Sequence, residues 1–105
     1  MATWQFRSSG KTYTMSGTDF QIRVWQELRR IPRGQVITYA ELARRIGRPR
    51  SARAVANACG ANPLIIIVPC HRVIRSDGSL GGYSAAGGVK RKARLLQKEK
   101  IFATN

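Results

Sequence analysis

Apolar positions along the chain fall first into a helical rhythm and later into a solid run. From Phe20 the side chains Val24, Leu28 and Ile31 recur at helical spacing with Trp25 beside them. Thr18 and Gln21 fit a capping box, which predicts a first helix to about Arg30. Ile31-Pro32-Arg33-Gly34 reads as a turn. Thr38 and Glu41 repeat the capping-box pattern, Leu42 and Ile46 form an apolar pair, and Gly47 can end a second helix of about two turns. After Arg48-Pro49-Arg50, Ser51 is placed to cap a third helix over 52–59, built of unusually small side chains and stopped before Asn62-Pro63. The aliphatic run Leu64-Ile65-Ile66-Ile67-Val68 predicts a buried strand that Pro69 ends, and Val73-Ile74 continues as an extended piece.

Ser76-Asp77-Gly78 reads as a turn, and residues 80–88 form a loop with four glycines. A last helix over roughly Val89 to Ile101 is expected to turn Val89, Ala93, Leu95 and Leu96 inward. Lys90, Arg91, Lys92, Arg94, Lys98 and Lys100 would then face outward. Residues 1–17 lack a clear period and are taken as an N-terminal arm, flexible or holding a short strand around Thr3-Trp4-Gln5-Phe6. Residues 18–105 are expected to form one small domain of the α/β class, mainly helical with a minor sheet.

Charge adds a partner to this outline. The chain has 19 Lys and Arg against 5 Asp and Glu, a net charge of +14, and such self-repulsion points to a polyanion, by default nucleic acid. Two short helices joined by a brief turn, the second rich in Ala and presenting Arg53, match a helix-turn-helix whose second helix approaches a DNA groove closely. The same residues also suit a helix packed against the first, with Arg53 solvated. With Cys59 and Cys70 widely spaced and one histidine in the chain, no metal site and no cofactor is expected. The N-terminus lacks an apolar stretch of signal-peptide length and the longest apolar run is far short of a membrane span. A cytoplasmic location with reduced thiols and no membrane partner is therefore expected.

The candidate chemistry sits at Pro69-Cys70-His71-Arg72. A thiol reacts as its thiolate, a neighbouring imidazole can take its proton directly or through a water, and Arg72 adds positive potential. Adjacent strand residues point to opposite faces, so Cys70 and His71 can cooperate only where the backbone turns, as Pro69 allows. An inert packed cysteine fits the same residues. The glycine loop either lets a flat ligand or phosphate reach the main chain or is a plain connector. Glu99 is either an ion-pair partner within its helix or an orienter for His71. Cys59, on the small-residue helix, is taken as structural.

Pro69-Cys70-His71-Arg72-Val73-Ile74 is preceded by Asn62-Pro63, with Ser51-Ala52-Arg53-Ala54-Val55 upstream and Gly81-Gly82-Tyr83-Ser84 downstream. Together these resemble the O6-alkylguanine-DNA alkyltransferases, from about Phe20 to Glu99. The resemblance implies a winged-helix-like helix-turn-helix domain without the family's usual N-terminal ribonuclease-H-like domain. It implies a monomer that enters the minor groove of double-stranded DNA containing O6-alkylguanine, flips the damaged nucleotide, and transfers the alkyl group irreversibly to cysteine. Cys70 would be the acceptor, His71 its base through a water, Glu99 the residue orienting His71, and Asn62 the holder of the turn. Tyr39 would donate a proton to the guanine and crowd the adjacent phosphate, and Arg53 would fill the gap left by the extruded base. Ser51, Ala52, Ala54 and Asn57 would join them at the DNA, and Pro69, Val73, Tyr83 and Ser84 would line the pocket. Two readings stand beside it: an alkyltransferase-like protein that binds alkylated DNA without repairing it, against which Cys70 argues, and a basic helix-turn-helix regulator. A cysteine hydrolase lacks an evident oxyanion arrangement and leaves the charge unexplained.

Overall fold

The computed structural model describes residues 1–83 and 85–103, of which 100–103 are described for the backbone only. Residues 1–17, read as an arm or short strand, make a β-hairpin. β1 (Ala2–Ser8) pairs antiparallel with β2 (Lys11–Gly17), from Ala2 opposite Gly17 to Ser8 opposite Lys11. Ser9 and Gly10 have φ of 51° and 78°, the paired positive values that let a two-residue loop follow the strand twist. One face stacks Trp4, Phe6 and Tyr13, with the Arg29 guanidinium 4.3 Å over the Phe6 ring. Met15 is buried in the core, and a Cβ on Gly17 would come within 2.9 Å of the Trp25 ring, so the hairpin closes tightly over the first helix.

That helix, α1 (Asp19–Leu28), starts with the expected capping box: the Gln21 N–H donates to Thr18 Oγ1 at 3.0 Å and the Thr18 N–H to Gln21 Oε1 at 2.9 Å. Ile22, Val24, Trp25 and Leu28 are buried, and Trp25 Nε1 donates to the Ala58 carbonyl at 2.9 Å, fastening α1 to α3. β3 (Ile37–Thr38) leads directly into α2 (Tyr39–Arg45), and α3 (Ala52–Gly60) follows after a short link. Thr38 caps α2 by accepting from the Glu41 N–H, but the Glu41 carboxylate turns to Arg44 and Arg45 rather than back to the cap, so only half of the second box forms. Ser51 precedes α3 without a side-chain capping bond, contrary to expectation. Gly47 takes the left-handed conformation, φ 76°, that ends α2.

The expected strand at Leu64–Val68 does not form. The segment is a tight turn with Val68 N–H bonded to the Leu64 carbonyl at 2.9 Å, Ile66 at φ 74°, and that residue 48% exposed. Asn62 replaces the missing strand partner: its Nδ2 donates to the Val68 carbonyl at 2.7 Å, and its Oδ1 accepts from the Leu64 N–H at 2.9 Å. Of the five aliphatics only Val68 is buried, and Asn62 satisfies the local backbone groups that a ladder would otherwise have taken. The chain then makes a single 3-10 turn, Cys70–Arg72, and enters β4 (Val73–Ile74), which pairs parallel with β3, Ile37 with Val73 and Thr38 with Ile74.

The last helix, α4 (Gly88–Ala103), is rotated from the expected phase. Val89 and Ala93 are exposed, while Lys92, placed outward by the apolar pattern, and Glu99 are buried, with Leu95 and Leu96 half-buried between them. The inward stripe is 92, 95, 96 and 99, a sound helical face that apolarity alone misreads because both its ends are charged. Among the described residues the outcome is a mainly helical α/β domain: a helix-turn-helix, α2–α3, backed by α1, with α4 packed on the 3-10 turn and two small two-stranded sheets. The core gathers Trp25, Leu28, Ile31, Leu42, Val55, Val68 and Val73. No helix among the described residues is long and apolar enough to cross a membrane.

Candidate active site

A cavity of about 590 Å³ opens between the start of α2, the partly exposed face of α3 that carries Arg53 and Asn57, and the glycine loop. Its lining includes seven of the anticipated residues: Tyr39, Ala52, Arg53, Asn57, Asn62, Cys70 and Tyr83. The tight turn at 64–68 and the 3-10 turn bring the Cys70 thiol to this wall, only 6% exposed. Exposed Arg53 sits near the start of α3, on the side open to solvent.

Other anticipated residues fall elsewhere. Pro69 and Val73 are buried but do not line the cavity, because Val73 is spent on the β3–β4 pairing and the core. Ala54 is exposed on another face of α3, and Ser51 is half-buried outside the lining. Ser84 lies outside the described residues.

Behind Cys70 is a charged cluster. His71 is 1% exposed, with Nε2 2.8 Å from Glu99 Oε2, and Glu99 also accepts from Arg72 Nε at 2.9 Å and Nη2 at 3.0 Å. Arg72 Nη1 donates to the Ile31 carbonyl at 2.8 Å, so the Arg72 guanidinium ties Glu99 of α4 and the 3-10 turn to the segment after α1. Glu99 therefore pairs across the fold rather than along its own helix. Burial pushes the Glu99 carboxyl up, but hydrogen bonds from Arg72 and His71 outweigh it and hold the group below the usual carboxylate range. Burial lowers His71, with Glu99 only partly opposing it.

The imidazole is thus neutral near pH 7. Nε2–H donates to Glu99, and Nδ1 is left as a bare acceptor, without a hydrogen-bond partner among the described residues. Burial raises the Cys70 thiol above its ordinary value, against the lowering influence of Asn62 and Lys92. Cys70 thus rests as a thiol, and the residue after it carries an unpartnered basic nitrogen.

Two contributors escaped the sequence reading. Cys59, taken as structural, lines the same cavity, and burial pushes its thiol up to about 12. Its helical spacing from Ala52 and Ala56, which also line the cavity, was the available signal. Lys92 lies behind the wall, wholly buried, and nothing in its local sequence separates it from its exposed basic neighbours.

A helix-turn-helix whose second helix borders a cavity holding a buried thiol, with a histidine–carboxylate pair next to it in the chain, is the layout of a DNA-binding domain that carries a candidate nucleophile. Residues 19–101 match the model of the 6-O-methylguanine DNA methyltransferase, DNA-binding domain, and the chain belongs to that family. It is 60% identical over 83 residues to a methylated-DNA--protein-cysteine methyltransferase of Salmonella typhimurium, covering 79% of this chain and 47% of that protein. Its fold superimposes on Mycobacterium tuberculosis OGT in complex with DNA with a TM-score of 0.78 at 55% identity, covering 82% of this chain and 52% of that one. S. pombe Atl1, in complex with damaged DNA containing O6-carboxymethylguanine, gives a TM-score of 0.69 at 36% identity, covering 81% of this chain and 79% of that one. The chain thus spans about half the length of the Salmonella relative.

Proposed function

We propose that this domain repairs double-stranded DNA by moving the alkyl group of O6-alkylguanine onto Cys70, once per molecule. The observation that carries the reading is the Cys70 thiol on a cavity wall beside the His71–Glu99 pair, at the border of a helix-turn-helix. In this reading α3 enters the minor groove, the damaged nucleotide swings into the cavity, and Arg53 fills the gap, offsetting part of the few kcal/mol of lost stacking. His71 Nδ1 takes the thiol proton through a water. The sulfur then bonds to the alkyl carbon as the carbon–O6 bond breaks, and the departing guanine takes a proton, a role this reading gives to the Tyr39 phenol lining the cavity.

Glu99 orients His71, and Asn62 holds the turn that presents the sulfur. The main chain beside Tyr83 forms the pocket wall, and Ala52 and Asn57 lie on the DNA side. The thioether product is a poor leaving group, so each molecule reacts once. The chemistry needs a reduced thiol, which favours the cytoplasm, and one domain carries all these groups, which favours action as a monomer.

The test is incubation with duplex DNA carrying O6-methylguanine, followed by peptide mass mapping. The expected result is a methyl on the Cys70 peptide, abolished by Cys70→Ser and retained by Cys59→Ser. Tight binding to the damaged duplex with unmodified protein would replace repair by lesion binding. Equal affinity for damaged and undamaged duplex, without transfer, would leave a DNA-binding regulator.

A further inference from the structure

A second cavity, of about 330 Å³, lies beside α4 and is lined by Ile66, Gly87, Arg91, Arg94, Leu95 and Lys98. Three of these side chains are cationic and none is acidic. The chain has 5 Asp and Glu, and each is placed elsewhere. Glu27 lies beside Arg30 and Arg45, Glu41 holds Arg44 and Arg45, Asp77 holds Ser79, Glu99 holds His71 and Arg72, and Asp19 sits in the first turn of α1. The three cations thus have no acidic side chain to balance them. Their setting is also preformed. Gly87, at φ 93°, leaves space in which a Cβ would come within 2.8 Å of Arg91 Cβ, and Arg91 Nη1 donates to the Ala86 carbonyl at 3.2 Å. The arginine stem is therefore seated on the loop with most of its N–H groups unused. Ile66, at φ 74°, takes a conformation that β-branched residues rarely adopt, and it stands 48% exposed instead of tucking into the core. The two cavities share a wall: Ile65 and Ala85 line the active-site cavity, Ile66 and Gly87 the second.

We propose that this second cavity is a DNA-backbone site: Arg91, Arg94 and Lys98 take phosphates of the duplex whose damaged base enters the neighbouring cavity, and Ile66 and Leu95 pack on the sugar between them. Residues 91, 94 and 98 climb α4 by about 10 Å at about 1.5 Å per residue. Such a row of positive charges matches the row of phosphates along a strand, where one compact anion would leave part of it unused. A guanidinium fork grips two phosphate oxygens at once, and the apolar pair accepts the deoxyribose. With a net charge of +14 a second copy of the chain is repelled, and a polyanion is the complementary partner. Contacts of this kind add affinity and fix register without reading bases. The inference rests on the DNA binding proposed above and not on the transfer step.

The experiment measures binding to an O6-methylguanine duplex and to its undamaged counterpart as a function of salt, by fluorescence anisotropy, in a Cys70→Ser background that cannot react. The pocket variant is Arg94→Gln with Lys98→Gln, both exposed. The control removes the same charge elsewhere, with Lys11→Gln on β2 and Arg23→Gln on α1, also exposed. Each phosphate contact contributes about 0.9 to the slope of log affinity against log salt. The pocket variant should therefore lose about 1–2 units of slope and about 10-fold or more in affinity at about 50 mM salt, on both duplexes, while the control loses little. Equal losses for pocket and control variants would overturn the site, as would a loss confined to the damaged duplex. A reduced slope in a protein whose Cys70 form transfers no methyl group would leave the backbone site standing and remove the repair reading. Intact transfer with an unchanged slope would do the reverse.

Discussion

Replacing Glu99 by Gln tests the buried cluster with almost no change in shape. Glu99 Oε2 takes His71 Nε2 at 2.8 Å and Arg72 Nη2 at 3.0 Å, and Oε1 takes Arg72 Nε at 2.9 Å. An amide has one acceptor oxygen. If it occupies the Oε2 position, its NH2 group faces the Arg72 Nε–H, donor against donor, and the remaining bonds lose the carboxylate charge. Bonds to charged groups are worth about 1.5–3 kcal/mol, and breaking a buried pair costs about 3–5 kcal/mol, so the expected loss is about 3 kcal/mol. With a urea slope of about 1–3 kcal/mol/M, the unfolding midpoint at pH 7 should fall by about 1–3 M.

The pH dependence fixes the cause. Because the folded-state carboxyl of Glu99 lies below its ordinary value, its stabilisation is complete above about pH 4.3, the unfolded value, and disappears as pH falls through the lower folded value. The difference between wild type and Glu99→Gln should be full at pH 7 and close in strong acid. Equal midpoints at pH 7, or a gap unchanged by acid, would refute the assignment.

Because burial lowers His71, its base should stay neutral below the ordinary histidine range, and the transfer rate should hold at pH 6.5 and fall only at lower pH. A single-turnover profile falling from above pH 7 would contradict this. The same shift makes the fold lose stability as pH drops below about 6.5, since the unfolded histidine protonates first. Asn62→Ala removes bonds to Val68 and Leu64 and should lower stability by about 2–4 kcal/mol in urea unfolding, with slower transfer as the turn loosens. Arg53→Ala should slow repair of duplex DNA far more than reaction with free O6-benzylguanine, which needs no flipping; equal slowing would remove the finger role.

Local signals in the chain were readable where one residue settles one element. Thr18 with Gln21, Thr38 before Glu41 and the left-handed Gly47 delimit α1 and α2 as expected. Spatial partners were not readable: Leu64–Val68 looked like a strand because its aliphatic run implied a burial that only Val68 reaches, while Asn62's occupation of its backbone left no trace in the pattern. Lys92 and Glu99 were hidden because helical phase was judged from apolarity, and their partners are His71, Arg72, Tyr39 and the glycine loop, distant in the chain. The hairpin was missed although Ser9-Gly10 lies between two alternating segments, a turn cue that Thr- and Ser-rich strands obscured.

The two-rung ladder between β3 and β4 has a consequence out of proportion to its length. Thr38, on one rung, immediately precedes Tyr39, and Val73, on the other, comes three residues after Cys70. A phenol and a thiol 31 residues apart in the chain are thereby tied into a common frame by main-chain bonds. Evolution can vary the walls around them freely, but a single residue inserted between Cys70 and Val73, or between Thr38 and Tyr39, would throw the two groups out of step.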